Sequence, residues 1–274
     1  ESTAAGVAAA FKGLPGVSIG AQIGSVVFIA TMALGLLAIL YPFEVNVPPF
    51  YLWSAALSGL LGALVLLSGR LDRARGLLLL IVFALLTWGA TRQLERTKSP
   101  DGPSQEDAVG VHVESGDTQV QTRRRQRDRT LFITRVAAAL VGLVVGAEVL
   151  VEGTQRLLES LGWSQTTFGS IVVAIAVSAE EGFLELLPAH KGHPEVSVGN
   201  VLGTIPFLLL ASLGAIGVIH PLDISGSLRS FQPAAMVIAV GAALWCLTRK
   251  RTNRHHGLIL VTIYGLYIAG TLWF

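Results

Sequence analysis

Residues 172–190 read VVAIAVSAEEGFLELLPAH, an apolar helix that carries Glu180, Glu181 and Glu185 with no Lys or Arg between Trp163 and Lys191. Residues four apart share a helix face, so Glu181 and Glu185 point the same way, with Ser178 three residues before Glu181 on that side. Glu180 is turned about 100° away. Carboxylates, hydroxyls and freed carbonyls are the oxygen set that hard cations take, about six to eight at a time for Ca²⁺. Crowded carboxylates can also hold protons, so such a site can exchange a cation for a proton. Gly182 and Pro188 read as positions where the helix loosens and gives up carbonyls.

The surroundings of that helix decide what the carboxylates mean. The chain is 52% hydrophobic and 14% charged, with mean hydropathy +0.62. A soluble domain carries roughly a quarter charged residues. Apolar blocks at 18–40, 49–69, 75–91, 131–153, 167–189, 195–219, 233–248 and 257–273 come near the ~20 residues that span a bilayer. The fold class is therefore all-α and polytopic in a membrane, about eight full spans plus a partial one, with the lipid bilayer as a partner. A net charge of +2 gives no reason to expect nucleic acid, and nothing in the sequence names a protein partner. Cys246 lies alone in an apolar span and reads as a small core residue.

Residues 92–129 change character: both charge signs mix, apolar clusters vanish, and the stretch ends in Arg123, Arg124, Arg125, Arg127 and Arg129. This is the composition of a disordered linker. It divides the chain into a first half, 1–91, and a second half, 130–274. Placing the linker in the cytoplasm puts 14 of the 20 basic residues on that side and leaves Lys12, Arg70, Arg73, Arg75, Arg156 and Arg229 on the other. The positive-inside rule thus assigns a cytoplasmic linker, in an integral protein of the cell membrane. The Arg70–Arg75 loop runs against that assignment.

The halves are related. GLPGVSIGAQIGSVVF at 13–28 and GHPEVSVGNVLGTIPF at 192–207 match at seven of 16 positions with a constant offset of 179. Five spans separate the copies, so they have opposite orientations, the arrangement that in secondary transporters puts the binding site at the midplane between repeats. On these residues, the stretch from GAEVLVEG through LGWSQTTFGSIVVAIAVSAEEGFLEL to HKGHPEVSVGNVLGTIPF resembles the second repeat of the calcium/cation antiporter superfamily, whose repeat carries G-T/S-S-x-P-E and later G-N-x-x-G-S-N. The resemblance implies an inverted-repeat exchanger fold of ten helices, with the first helix and the start of the second upstream of Glu1. It implies alternating access by rocking of the repeats. It also implies no resident cofactor, the transported cation (Ca²⁺, or Na⁺/H⁺) occupying the site.

Carried over position by position, Glu181 is the motif's glutamate, since Asn200 follows it by 19 residues. Ser178 takes the serine position, and Gly203–Thr204 that of the later G-S, with Ser25 matching Thr204 in the first copy. The departures are Val177, Glu180, Ile205 and Leu208 in the second copy, and Ala21, Val26 and Ile29 in the first. The offset pairs Ser2 with Glu181; Glu1 takes the first repeat's glutamate position only with a one-residue insertion. The candidate cation ligands are Glu181, Glu180, Ser178, Asn200, Thr204, Glu185, Ser25 and Glu1. Glu185, one turn before Pro188, could instead reach headgroups, and Asn200 could bond between helices. His190 and His193, beside Lys191, read as solvated. Three functions stand: a cation antiporter exchanging Ca²⁺ or another cation for H⁺ or Na⁺, an exchanger-fold scaffold or sensor without transport, and a membrane enzyme. The third lacks any H-E-x-x-H, G-x-S-x-G or phosphate-binding loop.

Overall fold

The computed structural model describes residues 2–97, 162–249 and 251–273, with single positions between 141 and 156; at 94–97 the description is of backbone alone. Glu1, Glu148, the 123–129 arginines, Lys250, and most of the 92–129 linker and 131–153 span lie outside the described residues. The first half runs α1 (Ser2–Phe11), α2 (Pro15–Val27), a π-helical stretch Phe28–Ala33, α3 (Leu34–Leu40), β1 (Phe43–Glu44), α4 (Pro49–Leu67), β2 (Arg70–Leu71) and α5 (Arg73–Thr97). The second runs α6 (Gln165–Phe168), a π-helical stretch Gly169–Val173, α7 (Ala174–His190), α8 (Pro194–Pro206), a π-helical stretch Phe207–Ser212, α9 (Leu213–Ile219), β3 (Leu222–Asp223), α10 (Ser227–Ser230), α11 (Gln232–Thr248), β4 (Arg251–Thr252) and α12 (Arg254–Trp273). Helix α5 continues to Thr97, into the first residues read as linker. Among the described residues, five rods are long and apolar enough to cross a membrane: Pro15–Leu40, Pro49–Leu67, Arg73–Gln93, Pro194–Ile219 and Arg254–Trp273.

Helix α4 shows how small residues serve packing in lipid. On α4, Trp53, Leu57, Leu60, Leu64 and Leu67 form an exposed stripe, while Ser54, Ala55, Ser58, Gly59 and Gly62 turn to the interior. Hydrocarbon solvates leucine as well as another helix does, so packing rewards the small residues that let backbones approach. Two helix pairs meet glycine to glycine. A Cβ on Gly214 would lie 3.0 Å from the Gly76 carbonyl oxygen, and one on Gly257 would lie 2.5 Å from that of Gly35. These contacts seat α9 on α5 and α12 on α3.

Each half thus grips the other rather than packing as a separate unit. Strand β1 pairs with β4, setting Phe43 against Thr252, and β2 pairs with β3, setting Arg70 against Asp223. An ion pair closes each: Glu44–Arg251 at 3.2 Å and Arg70–Asp223 at 3.0 Å. The two pairs lie at opposite ends of the bundle, because α4 runs the length of the interior between β1 and β2. In the Arg70–Arg75 loop, anomalous by charge count, two of the three arginines are paired with acids. Arg70 holds Asp223, Arg75 lies 3.5 Å from Asp72, and Arg229 donates to the Leu67 carbonyl.

Residue by residue, the repeat extends well beyond the matched stretch. Phe11-Lys12-Gly13-Leu14-Pro15 and His190-Lys191-Gly192-His193-Pro194 make the same turn. Gly13 and Gly192 both take positive φ, 70° and 85°, where a Cβ would be strained. Leu14 N–H bonds the Ala9 carbonyl and His193 N–H the Pro188 carbonyl, each at 2.9 Å. Pro15 and Pro194 then open the next helix, where the missing N–H costs nothing and φ is already set. The π-helical stretches 28–33 and 207–212 are also 179 apart.

Candidate functional site

Helix α7 packs against α8, α2 and the π-helical stretch 28–33. Its approach to α2 is fixed by glycines: a Cβ on Gly24 would lie 2.6 Å from that of Ala174, and one on Gly182 would lie 3.2 Å from the Phe28 ring. Ser25 and Ser178 fall between those two contacts. Both are fully buried, and neither hydroxyl has a hydrogen-bond partner. One and two turns further along the same face of α7 come Glu181, half-buried, and Glu185, 1% exposed.

Glu185 is the unusual group. Neither of its carboxylate oxygens has a hydrogen-bond partner, and its backbone carbonyl accepts from the Ser197 hydroxyl at 2.5 Å. The sequence left open whether it reaches headgroups; its burial excludes that. The bond from Ser197 ties α7 to α8 beside the carboxylate, and Pro188, three residues on, stays inside the helix. Helix α7 runs through Gly182 and Pro188 to His190 without a break, and Pro188, lacking an N–H, leaves the Leu184 carbonyl without its helical donor. Other departures from α-helical bonding lie at the three π-helical stretches, which re-aim carbonyls as π-bulges at functional sites do.

Other candidates are placed differently. Glu180 and Asn200 are exposed and Thr204 is half-buried. Glu180 follows from helix rotation: one residue before Glu181, it cannot share that face. Glu1 lies outside the described residues. Among those residues, no three His, Cys, Asp or Glu side chains converge to hold a metal, so a cation here would draw on hydroxyls and carbonyls as well as the two carboxylates. The side chains that replace the motif's polar positions, Val26, Ile29, Ile205 and Leu208, are all fully buried core. His190 Nδ1 is 3.0 Å from the Tyr41 hydroxyl and His193 Nδ1 3.1 Å from a Glu195 oxygen, so the H-x-x-H pair is engaged separately. Glu152 pairs with Arg156.

Sequence reasoning passed over Gln22. It is fully buried, its amide donates to the Ser2 carbonyl at 2.7 Å, and it accepts from Ser212 at 2.8 Å. The signal was there, since an amide in the middle of an apolar span is as costly as a hydroxyl. The motif directed attention to its neighbours Ala21 and Ser25.

Comparison with known proteins agrees with this architecture. The sequence profile of the family described as "Sodium/calcium exchanger protein" matches residues 2–92 and 131–273. The chain is 25% identical to sodium/calcium exchanger MaX1 of Methanosarcina acetivorans over half of this chain and 39% of that one. It is 24% identical to inner membrane protein YrbG of Escherichia coli over 93% of this chain and 77% of that one. The solved structure of the sodium-calcium exchanger NCX_Mj superposes with a TM-score of 0.63 at 22% identity, covering 97% of this chain and 84% of the other. That likeness establishes the inverted-repeat exchanger fold, and the family match together with the apolar rods makes this an integral membrane protein. The chain belongs to the sodium/calcium exchanger protein family.

Proposed function

We propose that this chain is the membrane body of a secondary cation antiporter, exchanging Ca²⁺ or another cation for H⁺ or Na⁺ by alternating access. Glu181 and Glu185 supply the charge, and Ser178, Ser25 and Thr204 supply hydroxyl oxygens. The observation that carries the reading is Glu185, a carboxylate buried in a membrane helix with no hydrogen-bond partner. Charge at the centre of a spanning helix costs at least about 2.5 kcal/mol on insertion scales, and such residues mark ion pathways. Residues 1–91 and 130–274 act as its halves. The positive-inside count places β1, β4 and the linker in the cytoplasm, with the bundle in the cell membrane. The strand pairs and glycine contacts that join the halves weigh against an alternation in which the halves rock apart.

Flux through proteoliposomes tests this. Ca²⁺ uptake driven by an imposed H⁺ or Na⁺ gradient is expected for the native protein and lost in Glu181→Gln and Glu185→Gln. Uptake that survives both substitutions would sink the carboxylate site. The second reading, an exchanger-fold scaffold without transport, is favoured by the fully buried Ile29 and Leu208 where the family motif is polar. It predicts no gradient-driven uptake of Ca²⁺, Mg²⁺, Mn²⁺ or K⁺ in the native protein.

A further inference from the structure

The two strand pairs are one device used twice, and the copies differ in charge. The turn from α4 into α5 reads RLDRARG at 70–76, and that from α11 into α12 reads RTNRHHG at 251–257. Each begins with a strand arginine, Arg70 or Arg251, paired with the acid of the facing strand, Asp223 or Glu44. Each then buries one side chain, Leu71 or Thr252. Each opens the next spanning helix on an exposed arginine, Arg73 or Arg254.

The 70–76 turn carries a second acid. Asp72 accepts from the Arg75 backbone N–H at 2.9 Å and lies 3.5 Å from its guanidinium. At those two places the other turn has Asn253 and His256, and the Asn253 N–H donates to His256 Nδ1 at 3.2 Å. The acid is gone, and cations are added. Arg249 and Lys250 stand where the first turn has Ser68 and Gly69, His255 stands where it has Ala74, and residues 249–256 hold no acid at all. Since the 70–76 turn pairs its strands in the same way without them, the turn does not require the added cations. Arg249 and Arg254 are both exposed, and among the described residues neither makes an ion pair.

Tryptophan sets their depth. The Arg249 guanidinium lies 5.1 Å from the centre of the exposed Trp245 ring, and His256 meets the same ring edge-on at 5.4 Å. At the same end of the bundle, where α5 finishes its crossing, Arg92 lies 3.7 Å over the exposed Trp88. Exposed Trp rings settle at the level of the lipid headgroups, so the arginines stacked on them lie at that level too. A guanidinium fork matches the oxygens of a phosphate, and at this depth the phosphate at hand belongs to a lipid. We propose that Arg249 and Arg254, with Trp245 beside them, form a docking surface for the headgroup of an anionic phospholipid. The surface serves the protein whichever ion it carries, so its test needs no transport.

The test uses the full chain in vesicles of phosphatidylcholine with phosphatidylglycerol mixed in, one lipid at a time carrying brominated acyl chains. Quenching of Trp245, taken as the difference from Trp245→Phe, reports which lipid lies against it. Brominated phosphatidylglycerol is expected to quench at a lower mole fraction than brominated phosphatidylcholine. Arg249→Gln and Arg254→Gln should each reduce that preference about fivefold, the ~1 kcal/mol that one basic residue contributes near an anionic surface. Arg73→Gln, in the opposite turn, should leave it unchanged. A second readout is the thermal midpoint in nanodiscs, which should rise with phosphatidylglycerol in the native protein and rise less in the Arg249 and Arg254 variants. No preference at Trp245, or an equal loss in Arg73→Gln, would overturn the docking surface. If there is no preference and Arg249→Gln lowers the midpoint in phosphatidylcholine alone, the arginines serve acids of the protein, such as those of residues 101–117, and the lipid proposal is wrong.

Discussion

The Ser197 hydroxyl donates to the carbonyl of Glu185, and 179 residues earlier the Ser18 hydroxyl donates to the carbonyl of Gly6. The same bond, made twice across a twelve-residue separation, fixes the register of the inverted repeat from inside the membrane. It equates Gly6 with Glu185 and Ser2 with Glu181. The first repeat therefore carries a glycine and a serine where the second carries its two inward carboxylates. Among the described residues, the charge of the candidate site comes from one half, whereas the frame around it is symmetric.

If the two bonds are equivalent, their removal should be too. Ser18→Ala and Ser197→Ala each leave a buried helix carbonyl without its extra donor, and each should cost about 0.5–1.5 kcal/mol. Lying in different halves with no shared partner, they should combine additively to within about 0.5 kcal/mol. Denaturant unfolding of both single variants and the double in mild detergent would read this. A cost confined to Ser197→Ala would instead mean that the bond serves Glu185 and not the repeat.

Glu185 gives a prediction with the opposite sign. A buried carboxyl without a partner is a standing cost, on the order of 1–3 kcal/mol by mutational measures of buried polar groups. Glu185→Met, similar in length and apolar, should stabilise the cation-free protein by about that much and remove its stabilisation by cations. At this chain length about 1 kcal/mol corresponds to roughly 2–4 °C in the thermal midpoint. A lower midpoint without cations would show that the carboxyl is held by partners after all.

The fold was legible because its causes are local and repeated. Apolar blocks bounded by charge marked the spans, and the Gly-x-Pro turns at 13–15 and 192–194 marked the repeat. What escaped was long-range. Nothing in the Arg70 segment alone indicates that Asp223, 153 residues on, will pair with Arg70. The candidate site was half-legible for a similar reason. Helical spacing placed Ser178, Glu181 and Glu185 together, but the exposure of Asn200 depends on which helices flank α8. The hydrogen bonds joining Gln232 of α11 to Tyr267 and Thr271 of α12 link residues that are unremarkable in their own spans.

The glycine pairs should be unforgiving positions. A side chain on Gly214 would meet the Gly76 carbonyl and Leu80, and one on Gly257 would meet the Gly35 carbonyl and Ile39. A backbone carbonyl cannot swing aside as a long side chain can, so Gly214→Val and Gly257→Val should each cost at least the ~1–3 kcal/mol typical of overpacking. By contrast, Arg70→Ala and Arg251→Ala remove ion pairs that are largely solvent-exposed, worth at most about 1 kcal/mol each. Thermal unfolding should rank both glycine variants well below both arginine variants. If the arginine variants prove the more damaging, it is the strand pairs and not the helix contacts that hold the halves together.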